Sequence, residues 1–145
     1  MKIAVSACLL GENCKYNGGN NYNEKLNEML KKHEVLPVCP EVFGGLPTPR
    51  VPSETVNGKV TMRDGTDVDR AFRKGAEIAL QKVIGFGADF CILQSRSPSC
   101  GVKEIYDGTF SGTKIPGKGV FVRELEKAGI AAVDAEDVIS GDFPV

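Results

Sequence analysis

Four short apolar runs of strand-like composition constrain this chain most: Lys2-Ala7, Val35-Val38, Phe90-Leu93 and Ile130-Val133. Each is too short for a helix and lacks polar alternation, which reads as a strand buried on both faces. Helical periodicity lies between them. From Asp67 to Val83, the residues Val68, Ala71, Phe72, Gly75, Ala76, Ala79, Leu80 and Val83 follow the i, i+3, i+4 series behind Asp67 as N-cap. Gly75 within that stripe implies close packing on a sheet. Asn23 to His33 is a second helix, with Leu26, Met29 and Leu30 on one side, and Val120 to Ala128 is a third, stopped by Gly129. Strands alternating with helices require right-handed crossovers and a mostly parallel sheet. The expectation is an α/β, Rossmann-like, doubly wound fold in three layers. A chain of 145 residues with 41% apolar content builds a single domain.

Two long stretches fit no element: residues 40–65 after the second strand and residues 94–119 after the third. Segments of this length in so small a domain are functional or disordered, and their Gly/Pro punctuation favours function. A formal charge of -1 without blocks of like charge leaves no electrostatic footprint for a nucleic acid polymer or an acidic membrane surface, so the expected partner is a small molecule. No apolar run approaches the roughly 20 residues that span a bilayer. "MKIAVSACLLG" is too short and too soon interrupted for a signal peptide, so a cytoplasmic location is expected. Five cysteines in a reducing compartment do not make a disulfide framework.

In an open parallel sheet, ligands bind beyond the carboxyl ends of the strands. Cys8 closes the first strand, Cys39 closes the second in "LPVCPE", and Cys100 lies in "SRSPSCG", where the chain leaves the third. All three map to one edge. Cys91, inside "DFCIL", reads as core filling. Cys14, in "ENCKYN", is a fourth ligand, a bystander or a turn residue. Three thiolates leave a coordination position open, which suits a catalytic zinc or an iron-sulfur cluster with one free iron, and spacing does not choose between them.

Glu41, two positions after Cys39, reaches the same mouth as a candidate general acid/base; the bland alternative is a solvated loop glutamate. Arg50, bracketed by Pro49 and Pro52, either binds an anion or the polar edge of a base, or fixes a loop through a carboxylate such as Glu54. Ser97 and Ser99 flank Pro98 and could donate hydrogen bonds to a bound sulfur or oxygen, or simply serve the turn. His33, the single histidine, falls at a helix end where it would cap carbonyls. Neither a P-loop nor a dinucleotide fingerprint is present.

The motifs "VSACLLGENCKYNGG", "VCPEVFGGLPTPR", "DGTDVDRAFRKGA", "LQSRSPSCG" and "IYDGTFSGTKIPGKGVFVREL" run over almost the whole chain. Together they resemble the DUF523 family of small bacterial proteins, whose characterised members include thiouracil desulfidase. The resemblance implies a 4Fe-4S cluster on Cys8, Cys39 and Cys100 with the fourth iron open. It also implies removal of sulfur, without net electron transfer, from a small thiolated base such as 2-thiouracil. For that reaction general acid/base help is expected from Glu41, which would activate water or protonate the ring nitrogen, and Ser97 or Ser99 would orient the substrate. Two other classes compete: a zinc-dependent hydrolase on the same cysteines, and a non-catalytic nucleotide- or sulfide-binding module.

Overall fold

The computed structural model describes residues 1–145. In chain order the elements are β1 (Lys2–Ser6), a 3-10 turn (Ala7–Leu10), α1 (Glu24–Leu30), β2 (Glu34–Val38), α2 (Pro40–Phe43), β3 (Ser53–Val56) and β4 (Lys59–Met62). Then follow α3 (Asp69–Phe86), β5 (Phe90–Leu93), β6 (Glu104–Tyr106), β7 (Lys114–Pro116), α4 (Val120–Lys127), β8 (Ala132–Asp134) and α5 (Ala135–Ser140). Strands β2-β1-β5-β8 form one sheet in that order, and every pairing is parallel. The chain moves from β1 outward to β2 and then crosses to β5 on the other side, so the winding direction reverses between β1 and β5.

Alternation along the central strands divides the core into two layers. Ala4, Cys91 and Leu93 face Phe72, Ala76, Val83, Phe121 and Leu125 of α3 and α4. Ile3, Val5, Phe90 and Ile92 face Leu26 and Leu30 of α1 and Val138 of α5. The expected three-layer α/β domain is what forms. Phe72 and Phe121 are almost wholly buried, and truncating either to Ala costs about 3–5 kcal/mol.

Burial on both faces holds for the central strands, not for the edges. β2 exposes Glu34 and Pro37 and half-buries Val35 and Leu36; Pro37, with no N–H to give to a further strand, suits an edge. Helix α3 starts at Asp69 rather than Asp67: Val68 is the N-cap and makes no side-chain bond, while the Asp67 carboxylate accepts the Asp69 N–H at 2.9 Å. Gly75 meets a helix, not the sheet. A Cβ there would stand 1.8 Å from the carbonyl oxygen of Pro40, and one on Gly44 would stand 2.1 Å from that of Ala71, so α2 and α3 touch backbone to backbone. His33 caps no carbonyl with its ring; Nδ1 faces the terminal amine of Met1 at 3.3 Å.

The two long stretches are ordered. Residues 53–62 form the antiparallel hairpin β3–β4 around Asn57 and Gly58, both at positive φ (48° and 81°), the combination a tight two-residue hairpin demands. Residues 104–116 form the hairpin β6–β7. Buried Glu54 on β3 joins them: its Oε1 accepts the N–H groups of Gly108 at 3.0 Å and Phe110 at 3.2 Å. Helix α5, unread in the sequence, is capped by the Asp134 carboxylate, which accepts the Glu136 N–H.

Candidate active site

The carboxyl ends of β1 and β5 are held together at the reversal point by Ser6 Oγ, which accepts the Gln94 N–H at 2.9 Å. Beyond them opens a cavity of about 430 Å³. Cys8 reaches it from the 3-10 turn after β1, Cys39 from the residue preceding α2, and Cys100 from the turn after β5; Cys14 lines it as well. All five cysteines are free thiols, and Cys91 lies apart in the core, its thiol pushed up to about 12 by burial.

Each thiol at the cavity has a distinct environment. The thiol of Cys14 is driven up, first by its neighbours Cys39 and Cys8 and then by burial. Cys39 is drawn down to about 7, first by Cys14, then by the Val42 N–H of α2 and the charge of Arg50, against the opposing effect of burial. Cys8 is lowered by Cys14 and by Asn21, whose Nδ2 donates to the sulfur at 3.4 Å. Cys100, 4% exposed, is pushed up to about 12 by burial, with Ser6 and Ser99 acting in the opposite sense. Ligation by a metal removes these protons, so such thiols bind in a pH-dependent way.

Glu41 is the second residue of α2 and also lines the cavity. Its Oε1 accepts from Arg50 Nε at 3.2 Å and Nη2 at 3.1 Å, and its Oε2 accepts the Ser99 hydroxyl at 2.9 Å. Arg50 Nη1 donates to the Pro47 carbonyl and to Thr48 Oγ1, both at 3.0 Å, and Nη2 also donates to the Cys14 carbonyl at 2.9 Å. All five guanidinium N–H groups are thereby committed within the protein. The side chain is only 4% exposed, and the carboxylate it meets is Glu41, whereas Glu54 binds the opposite hairpin.

The serines form a directed chain. Ser97 Oγ accepts the N–H groups of Ser99 at 3.1 Å and Cys100 at 3.0 Å, which leaves its own proton for Ser99 Oγ at 2.8 Å. Ser99 in turn gives its proton to Glu41, a far better acceptor than the Cys100 sulfur at 3.6 Å. Sequence reasoning missed the cavity walls: Tyr16, Arg63, Tyr106 and Phe110 also line the site. Arg63 lies over the Phe110 ring at 5.8 Å. The hairpins that carry Arg63 and Phe110 announce themselves only through Asn57-Gly58 and the Gly108/Gly112 pair.

The residues present fit a thiolate-held group. Soft donors crowd one cavity, and no three His, Cys, Asp or Glu side chains are arranged around a single metal ion. The space is far larger than one ion fills. A doubly wound α/β domain with thiols at its switch point, beside a carboxylate–hydroxyl pair, has the build of a thiolate-ligated metalloenzyme. The chain belongs to the 2-thiouracil desulfurase family, whose model matches residues 3–137. It is similar to the [4Fe-4S]-dependent thiouracil desulfidase TudS (DUF523Vcz), with a TM-score of 0.88 and 38% identity over 96% of this chain and 93% of that one. It is also 36% identical to the uncharacterized protein YbbK of Bacillus subtilis (strain 168), over 94% of this chain and 97% of that protein. The DUF523 resemblance and the three-layer fold expected from the sequence both hold.

Proposed function

We propose that this chain is an iron-sulfur-dependent desulfidase that converts a thiolated base of the 2-thiouracil type to the oxo base and sulfide. One water is consumed, and the reaction balances as a hydrolysis of C=S to C=O with no electrons exchanged. The observation that carries this reading is the gathering of Cys8, Cys39 and Cys100 with the Glu41–Ser99 pair around one cavity. Family membership and the likeness to a [4Fe-4S]-dependent desulfidase support it.

Cys8, Cys39 and Cys100 would hold a 4Fe-4S cluster, which when bound supplies a Lewis-acidic iron with affinity for sulfur. The chain's own residues do the rest. Glu41 takes a proton from the attacking water at Oε2 or returns one to the ring nitrogen. Ser99, within 2.9 Å of that oxygen, orients the substrate's polar edge, and Ser97 sets the direction of the Ser99 hydroxyl. Arg50 fixes the plane of the Glu41 carboxylate and balances its charge. The walls of the cavity limit the access of bulk water to the reacting carbon. No helix is long and apolar enough to cross a membrane. A cytoplasmic location, with a small molecule as the only partner of the site, agrees with unpaired thiols that must stay reduced.

The test is anaerobic purification and reconstitution, with a visible spectrum, iron and sulfide analysis, and product assay before and after addition of 2-thiouracil. A brown protein that releases sulfide and uracil is expected. A colourless, zinc-bound hydrolase, or an iron-loaded protein that binds 2-thiouracil without turnover, would overturn the proposal.

A further inference from the structure

We infer that Cys14 is an exchangeable fourth ligand of the cluster, occupying the open iron position when no substrate is present. The inference rests on the cluster assignment proposed above. Cys14 lies in the turn that follows the 3-10 segment, and main-chain bonds set its place: its N–H donates to the Glu12 carbonyl at 2.9 Å, and its own carbonyl accepts from Arg50 Nη2 at 2.9 Å. The guanidinium that fixes Glu41 therefore also fixes Cys14. The adjoining residues are braced as well, with Asn20 Nδ2 donating to Asn13 Oδ1 at 2.8 Å and the Asn21 N–H donating to the Cys8 carbonyl at 2.9 Å.

Core filling does not account for this thiol. Unlike Cys91, Cys14 belongs to neither hydrophobic cluster; it is half-buried and lines the same cavity as Cys8, Cys39 and Cys100. A cluster held by three cysteines presents one unsatisfied iron to the same space. A tethered thiolate competes for that iron at an effective concentration on the order of millimolar, and sulfur is the ligand type iron in such clusters prefers. On exchange the iron bond to Cys14 breaks as the bond to the thiocarbonyl sulfur forms. No electron moves, and the released thiolate takes a proton from solvent and returns to the cavity wall. The consequence is a capped iron at rest, shielded from oxygen and stray thiols, that opens only to a sulfur ligand able to displace an internal one.

The wild-type chain, Cys14→Ala and the isosteric Cys14→Ser are loaded anaerobically, assayed for iron, and titrated with 2-mercaptoethanol while the visible spectrum is followed. The three-iron signal is then timed by electron paramagnetic resonance during brief exposure to air. Both variants should retain wild-type iron, bind the external thiol about tenfold more tightly because no internal ligand must be displaced, and form the three-iron species sooner. Equal affinity and equal timing in all three proteins would overturn the inference while leaving the desulfidase reading intact. So would iron loss in Cys14→Ser as severe as in Cys8→Ser, which would mark Cys14 as a permanent ligand. A wild-type chain that takes up no cluster would overturn both.

Discussion

Arg50 grips a single oxygen of Glu41, Oε1, with two of its nitrogens, at 3.2 Å and 3.1 Å, and leaves the other oxygen to Ser99. The carboxylate is thus clamped on the side away from the serines and presented on the side toward them. Lysine keeps the charge of Arg50 but lacks the planar fork. Arg50→Lys should therefore retain the visible cluster spectrum yet lower turnover by about 10- to 100-fold, the usual cost of losing an outer-shell partner. A variant that is merely less stable, with wild-type turnover per bound cluster, would assign Arg50 a structural role only.

Glu41 itself is tested by Glu41→Gln, which keeps the shape and the contact with Ser99 while removing the proton acceptor. Turnover of 2-thiouracil should fall by about 10²- to 10⁴-fold. Iron content and absorbance should stay at the wild-type level. An unchanged rate across the pH range would remove Glu41 from the chemistry.

The two serines should respond differently. Ser99→Ala removes the hydroxyl that meets Glu41, so kcat/KM for 2-thiouracil should drop with little change in iron content. Ser97→Ala instead deprives the Ser99 and Cys100 N–H groups of their acceptor. An unsatisfied buried donor costs about 1–3 kcal/mol, so this variant should lose its cluster faster under a chelator challenge. The pair of measurements, kinetic constants and cluster half-life, is checked by whether the two defects separate in this way.

The central strands could be read from the sequence because burial on both faces strips them of polar residues. The thiols could be placed because ligands in such sheets gather at the carboxyl ends. That rule places Cys8, Cys39 and Cys100 at one edge from the sequence alone. Contacts that depend on the path of a loop were not readable. Arg50 and Glu41 are nine residues apart, and nothing local distinguishes Glu41 from Glu54 as the partner of the arginine. Cys14 stayed undecided for the same reason: its neighbours are set by Arg50 and by a turn. The β3–β4 hairpin carries a signal in Val56-Asn57-Gly58-Lys59, but its strands, Ser53–Val56 and Lys59–Met62, lack the continuous apolar run that marks the central strands. Gly75 in an apolar stripe points to a sheet contact, whereas the partner it meets, the short α2 at Pro40–Phe43, is too brief to show a helical period in the sequence.

That contact makes a prediction about the site from a distance. With a Cβ on residue 75 only 1.8 Å from the Pro40 carbonyl oxygen, Gly75→Ala forces α2 away from α3. Because α2 carries Glu41 and follows directly on Cys39, both should move. Overpacking of this kind costs about 1–3 kcal/mol or more. The variant should therefore show a lower Tm together with weakened iron retention, measured by melting and by chelator challenge. Wild-type values of both would mean that the helix pair tolerates separation.

Asp69 links the β3–β4 hairpin to α3 and supplies a pH dependence of stability. Its Oδ1 accepts the Val60 N–H at 3.0 Å, and its Oδ2 accepts from Arg73 Nε at 2.6 Å. Burial works to raise its pKa, but the bonds from Arg73 and Val60 outweigh it, so the carboxylate titrates below its ordinary value. A carboxylate lowered in the folded state contributes stability that is fully present above its unfolded pKa of about 3.9 and is lost as pH falls through the folded value. Asp69→Asn removes the charge at every pH. It should destabilise the cluster-free chain by about 1.5–3 kcal/mol at neutral pH, the range for a hydrogen bond to a charged group. The difference between variant and wild type should shrink once both are brought below the ordinary aspartate range. Urea unfolding of the two proteins at neutral and strongly acidic pH measures this directly. A gap that is the same at both pH values would mean that packing, and not the ionised carboxylate, holds the hairpin to the helix.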